Sequence, residues 1–432
     1  MHVLPQLREL EERFRDELVV IGVHSGKFIT ERETDRIAAA AERLGVAHPV
    51  VNDRQFRVWR SYAVRAWPSI VVIDPRGYVL GQHAGEFTAA MVAPTLEEII
   101  AAAGDALERG ERFPASDAPP AGPGTLRFPG KVAVEGARIA IADSGNHRVI
   151  VGTLTSRAAA RVDRTFGSMR GNRDGADPLF DNPQGLLFDG DTILVADAGN
   201  HTVRALDLAT GATRTIAGTG RQLRTRADLA AGALSSPWDL AFAGDRIAIA
   251  MAGNHRLYML DRGGTARPFA GSGAEEITDG PLLEAALAQP MGICAHGEHL
   301  YFADSETSAI RRADVREGGR VETLVGTGLF DFGDVDGVGT AVRLQHAQAV
   351  ARAADGRLLV ADSYNDALKW LDPATREVKT WVRGLHEPTG LAFGDGVVYV
   401  ADSDAHRVAV IDEGTRLLTR LELDFDGLST NR

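Results

Sequence analysis

The sequence predicts a multidomain chain in which an α/β unit is followed by an all-β propeller of six blades. The first observation is an alternation of helix-period segments with short apolar runs along residues 1–108. The second is a repeat. Ile141-Ala142-Asp143-Ser144-Gly145-Asn146-His147-Arg148-Val149 recurs with Asp, or its replacement Met251, at 143, 197, 251, 304, 362 and 402, at intervals of 54, 54, 53, 58 and 40 residues. A period in that range marks a propeller or a solenoid. The third is that each unit holds four alternating segments separated by glycine-bearing turns, the pattern of a four-stranded antiparallel blade.

In the α/β unit, Val3, Leu7, Leu10, Phe14 and Leu18 lie on one face of a helix expected to run to Glu17. The unbroken apolar run Leu18-Val19-Val20-Ile21-Gly22-Val23 predicts a buried parallel strand. A helix over 31–44 and a strand over 48–52 follow. Pro68 then leads into the strand Ser69-Ile70-Val71-Val72-Ile73, and Asp74-Pro75-Arg76-Gly77 turns the chain back into Tyr78-Val79-Leu80. Residues 109–125 are read as a linker, because four prolines between 112 and 125 favour a semi-rigid spacer. The propeller is placed at 126–421 and a C-terminal tail at 422–432.

Strands within a blade run up and down alternately, so the hairpin carrying Gly-Asn-His-Arg and the crossover to the next blade emerge on the same face. The crossovers are long, as in 220–235, 273–289 and 328–346. Long loops on a rigid scaffold are where binding surfaces concentrate. That face is the candidate recognition surface, with His147, Arg148, His201, His255, Arg256, His406 and Arg407 as its candidate residues. Against this, the Asp-Gly pairs at 174–175, 279–280 and 336–337 equally suit turn shaping. The repeated Asp, Asn and His equally suit a structural role, tying hairpins and packing between units.

The proline-led Asn182-Pro183-Gln184-Gly185, the Ala-Asp-Ser-Gly-Asn-His-Arg core and the closing Ala217-Gly218-Thr219-Gly220 resemble NHL repeats over roughly residues 126 to 421. Proline before an apolar strand, then a Pro/Gly hairpin, resembles the C-terminal half of thioredoxin-like proteins. Together these resemble the thioredoxin-like/NHL-repeat fusion family. By that resemblance Pro68 is a cis proline and, with Trp67, the part of the redox surround that this sequence retains. The resemblance also implies that Met1-His2-Val3-Leu4-Pro5 begins just after a Cys-x-x-Cys, so the first strand and the redox pair are expected to precede Met1 in a longer product.

No catalytic residue, metal ligand set or cofactor is read from the chain. Cys294 is the sole cysteine, which excludes an internal disulfide or a two-thiol centre, and it reads as a small buried hydrophobe. Equivalent histidines spread around a ring cannot converge on one ion. The net charge of −12 disfavours nucleic acid and anionic membrane as partners. Proteins or small molecules remain, in a chain expected to be cytoplasmic and of open oligomeric state. The leading expectation is a protein-interaction scaffold, redox-inactive as written. The alternatives are a thiol-disulfide oxidoreductase acting in redox homeostasis if the chain extends upstream, and a metal-dependent propeller hydrolase or lyase. The last is disfavoured because innermost strands such as Gly185-Leu186-Leu187-Phe188 are almost wholly apolar.

Overall fold

The computed structural model describes residues 2–104, 107, 109 and 124–425. It divides into two compact units, 1–120 and 121–432. Most of the expected linker, 110–123, and the end of the expected tail, 426–432, lie outside the described residues.

In the first unit the order is α1 (Val3–Arg13), β1 (Gly22–His24), α2 (Thr34–Arg43), β2 (Val50–Asn52), α3 (Arg57–Ser61), β3 (Ser69–Ile73), β4 (Val79–Ala84) and α4 (Ala89–Ala103). Strands β1 and β2 pair in parallel and β3 and β4 antiparallel, as two separate two-stranded sheets. Helix α1 stops four residues short of Glu17. Phe14 leaves helical geometry (φ −109°, ψ 41°), its N–H still bonding the Leu10 carbonyl, and its ring turns into the core. That core is Leu10, Phe14, Phe87, Ala89, Ala93 and Leu96, with Leu7, Leu18, Ile70 and Val72 against it. The expected buried strand is a correction. Only Leu18 of the run packs on the core, while Val19, Ile21 and Val23 are 59%, 55% and 42% exposed. Among the described residues strand β1 has a neighbour on one side only, so an unbroken apolar run here does not mark a strand covered on both faces.

The second unit is a ring of six blades, spanning 131–166, 183–217, 237–270, 290–325, 349–383 and 388–420. Each has four antiparallel strands from the centre outward, and apolar side chains of neighbouring blades interlock between them. The Pro-x-Gly start of the inner strand has a packing cause. A Cβ on Gly185 would lie 2.6 Å from the Asp239 Cα of the next blade, and one on Gly390 would lie 2.7 Å from the Lys131 Cα. Three blades carry a fifth strand that four-segment reading does not show. Gly280–Pro281 and Gly337–Val338, both within crossovers, pair with the outer strands of blades 4 and 5. The residues set off as tail begin with Glu422–Asp424, a strand that pairs in parallel with Ala159–Arg161 on the outside of blade 1. This strand and hydrogen bonds from blade 6 to blade 1 close the ring. Tyr399 Oη donates to the Arg157 carbonyl and Thr389 Oγ1 to the Gly130 carbonyl.

Candidate functional site

The repeated motif builds two devices, the first present in all six blades and the second in five. The first is a latch. The residue at the end of each Gly-Asn-His turn sits at left-handed φ: His147, His201, His255, Ser308, Asp366 and His406, all between 51° and 56°. Its side chain accepts a hydrogen bond from the backbone N–H that opens the next blade. Asn182, Ser236, Gln289 and Phe128 N–H donate to the Nδ1 of His147, His201, His255 and His406 at 3.0–3.2 Å. His346 N–H donates to Ser308 Oγ at 3.0 Å and Glu387 N–H to Asp366 Oδ1 at 2.8 Å. Histidine, serine and aspartate share this position because the work requires only an acceptor and tolerance of positive φ.

The second device is a buried carboxylate with one cation. Asp143, Asp197, Asp304, Asp362 and Asp402 are fully buried. Each accepts the N–H of a residue 16 or 17 positions earlier, as Asp181 N–H to Asp197 Oδ1 at 2.8 Å. Burial pushes the Asp197 carboxyl up to about 7 and Asp362 to about 6, against the hydrogen bonds and the nearby cation. Each carboxylate therefore needs a cation, and the chain supplies it from one of two positions. In blades 1 and 6 it is five residues on, Arg148 and Arg407. In blades 2, 4 and 5 it is seven residues on: Arg204, Arg311 and Lys369, all fully buried. Blade 3 removes both charges together. Met251 replaces the aspartate, its Sδ taking the Ser235 N–H at 3.3 Å, and Tyr258 replaces the cation.

The buried cations also hold the crossovers. Arg204 reaches Asp174, Arg311 reaches Asp279, and Lys369 lies 2.6 Å from Asp334 Oδ1. Asp174, Asp279 and Asp336 further accept the N–H of Thr215, Thr323 and Thr380 on the outer strand. The crossovers are thus pinned at their bases. Blade 3, lacking the cation, is approached through a short helix, Arg226–Ala230, closed by a Thr225/Asp228 capping box. Above the pins the four long crossovers expose Met169, Leu229, Leu283 and, in the longest, Phe330, Val335 and Val338.

Of the seven residues expected on the recognition face, the four histidines sit in the latches and Arg148 and Arg407 on the buried aspartates. Arg256 reaches the Ser272 carbonyl. The exposed apolar side chains of the crossovers were not singled out by the sequence reading, whose signal there was loop length alone. Arg204, Arg311 and Lys369 were missed too; the regular spacing of seven from the motif aspartate marks them.

The centre of the ring is less apolar than the strand sequences suggest. Lys131 of blade 1 places Nζ 3.2 Å from Asp239 Oδ2 of blade 3 and donates to the Gln348 carbonyl of blade 5 at 3.0 Å. Burial lowers the Lys131 ammonium, against the pull of Asp239. Cys294 lies beside them, its thiol pushed up to about 12 by burial and by Asp239, with Arg352 acting the other way. His346, just before the inner strand of blade 5, stacks on Tyr364 with ring centroids 4.4 Å apart. Among the described residues, no group of three or more His, Cys, Asp or Glu is placed to share a metal ion.

In the first unit the Trp67–Pro68 bond is cis. Trp67 is about half exposed, donates from Nε1 to the Ser25 carbonyl at 2.9 Å, and lies 4.4 Å from the Trp59 ring, with Phe56 edge-on to both. The loop beneath is fixed by buried Asp53, which accepts Ser25 Oγ and the N–H groups of Arg57, Val58 and Trp59. Burial alone would raise the Asp53 carboxyl, but the Trp59, Val58, Ser25 and Arg57 hydrogen bonds together hold it below the ordinary carboxylate value.

Comparison with known proteins agrees with both units. A family model described as thioredoxin-like matches residues 1–79, and one described as NHL repeat matches 385–411. Over 98% of its length the chain is 35% identical to NHL repeat-containing protein 2 of Gallus gallus and 34% identical to that of Homo sapiens. It spans 66% of the length of each. It is also 35% identical to Protein SUPPRESSOR OF QUENCHING 1, chloroplastic, of Arabidopsis thaliana, of which it spans 44%. Among solved structures, a chain of a nidogen/laminin complex superposes with a TM-score of 0.46 at 17% identity, covering 64% of this chain and 94% of its own length. No described helix is long and apolar enough to cross a membrane.

Proposed function

The chain belongs to the thioredoxin-like/NHL-repeat fusion family, and from that premise we propose that it is a protein-interaction scaffold whose propeller engages partner proteins through its long crossovers. One observation carries the reading: the four long crossovers, three of them pinned at their bases by a buried cation, expose large apolar side chains at Met169, Leu229, Leu283, Phe330, Val335 and Val338. Exposed apolar groups on rigid loops are the composition of a protein-binding surface. The net charge of −12 argues for protein partners over nucleic acid or anionic lipid. A single cysteine in 432 residues accords with the cytoplasm, whereas the plant relative's name says chloroplastic.

The test is quantitative capture from a native lysate by the intact chain, by Leu283→Glu/Phe330→Glu, and by Asp245→Lys in the exposed inner hairpin turn of blade 3, on the opposite face. A set of proteins lost with the first variant and retained with the second supports the reading. Equal capture by all three contradicts it.

Thiol-disulfide exchange is the second reading, favoured by the thioredoxin-like match over residues 1–79 and the aromatic cluster around Trp67. It requires two thiols, and within the 432 residues there is only Cys294, partly buried in the propeller. In this reading the thiols come from other polypeptide, and the chain supplies the surface that holds the client. The chain alone then leaves insulin disulfides intact in the presence of dithiothreitol. Catalysed reduction by the 432 residues would overturn the assignment of the thiols.

A further inference from the structure

The blade-to-blade latches have a property that follows from which atom accepts. A backbone N–H can only donate, so the Nδ1 of His147, His201, His255 and His406, 3.0–3.2 Å from the N–H groups of Asn182, Ser236, Gln289 and Phe128, must carry a lone pair. The latched ring is therefore neutral, with its one proton on Nε2. A second proton goes to Nδ1, where it replaces the acceptor by a donor and sets N–H against N–H. The residues so held are themselves at left-handed φ, between 45° and 58° for Phe128, Ser236, Asn182 and Gln289, a conformation that non-glycine residues keep only under restraint.

The other two junctions contain no imidazole acceptor. His346 N–H donates to Ser308 Oγ and Glu387 N–H to Asp366 Oδ1. Histidine is the side chain whose ordinary titration falls near neutral pH, so six equivalent junctions divide into four that respond to a proton there and two built on other acceptors. The four close the ring between blades 6 and 1 and end the crossovers into blades 2, 3 and 4.

What faces each ring sets its response. Asp181 Oδ1 lies 3.5 Å from His147 Nδ1 and offers the protonated ring an acceptor, in competition with Arg170. Asp304 acts on His255 from within its own pair with Arg311. His201 faces the Ser236 hydroxyl at 3.4 Å, and His406 lies edge-on to Phe128. Arg148, Arg256 and Arg407, each next in sequence to a latch histidine, and Arg127, next to Phe128, oppose a further positive charge.

We propose that the four histidine latches form a proton-sensitive switch: uptake of one proton per ring releases the opening residue of blades 1, 2, 3 and 4, while blades 5 and 6 stay latched. The switch needs no partner, so it is tested separately from the scaffold reading.

Hydrogen exchange of the intact chain, followed by mass spectrometry at pH 8 and pH 6 and corrected for intrinsic rates, reads the six junctions side by side. With an ordinary imidazole value near 6.5, opening of each histidine junction rises about fourfold at pH 6. Protection is expected to fall by that factor in 126–130, 180–184, 234–238 and 287–291, and to stay unchanged in 344–348 and 385–389. Burial pushes the Asp197 and Asp362 carboxyls up to about 7 and about 6, so they take up protons over the same range. Two variants therefore assign the effect. His255→Ser and His201→Ser copy the Ser308 latch of blade 4, and circular dichroism checks that both are folded. Each is expected to abolish the change at its own junction, 287–291 or 234–238, and to leave the other three. Equal change at all six junctions, no change at the four, or a change that persists in both folded serine variants overturns the proposal.

Discussion

Blade 3 shows how the propeller tolerates loss of its motif aspartate, and that solution is transferable. In blade 4, Arg311 Nη1 bonds Asp304 Oδ2 at 2.9 Å with both side chains fully buried. Arg311→Met leaves Asp304 with the Ala288 N–H as its remaining strong partner, and an uncompensated buried charge costs about 3–5 kcal/mol. Asp304→Met alone strands the guanidinium at a similar cost of about 3–5 kcal/mol. The double variant Asp304→Met/Arg311→Tyr recreates the Met251/Tyr258 pair and buries no charge. It frees Asp279, which is half exposed and keeps its Thr323 hydrogen bonds, so about 1–2 kcal/mol is expected overall, most of it from the loosened crossover. The coupling is then at least about 4 kcal/mol, far beyond the few tenths by which independent sites deviate from additivity. There is a pH signature as well. In Arg311→Met the Asp304 carboxyl is raised further above its unfolded value, so between the two values the folded state binds the extra proton. Stability of that variant therefore recovers as pH falls, by up to about 1.4 kcal/mol per unit. The assay is urea unfolding followed by far-UV circular dichroism at pH 8 and pH 5. A double variant as unstable as the two singles summed, or a single-variant penalty that does not shrink at pH 5, refutes the reasoning.

The latch makes a sharper distinction between replacements than between residue classes. His255→Asn keeps an acceptor at φ 56° and is expected to cost less than about 1 kcal/mol, whereas His255→Val loses the acceptor and is strained there, for about 2–3 kcal/mol in thermal unfolding. Asp53, held below its unfolded value, contributes stability that is full above the unfolded value near 4 and lost as pH falls through the folded one. Acid unfolding of the first unit, read by tryptophan fluorescence, is expected to lose that pH dependence in Asp53→Asn. Cys294, with its thiol near 12, is expected to react with iodoacetamide at pH 8 at least about 100-fold more slowly than a free thiol, and normally in urea; intact mass reads both.

What the residues disclose depends on whether the constraint repeats. The blade count, the Pro-x-Gly inner strands of blades 2, 4 and 6 and the Gly-Asn-His turns of blades 1, 2 and 3 were legible because they repeat, and each copy checks the others. The latch was half legible: the spread of histidines around a ring argues for structure, but not that a left-handed residue accepts the next blade's opening N–H. The cations Arg204, Arg311 and Lys369 were hidden because arginine on a strand reads as solvent-facing until the carboxylate it serves is located. The Lys131–Asp239 pair was hidden because it joins blades 1 and 3 across the ring, a contact no local pattern announces. In the first unit the run 18–23 misled, since apolar character shows what a strand can bury and not whether a neighbour is present to bury it.

The central claim is that the crossover face is where partners bind. For a partner retained by Asp245→Lys and lost with Leu283→Glu/Phe330→Glu, hydrogen exchange of the propeller with and without that partner tests it most directly. The account predicts protection concentrated in 167–182, 218–236, 271–289 and 326–348. Protection confined to the turns of the opposite face, with these four segments unchanged, would contradict it.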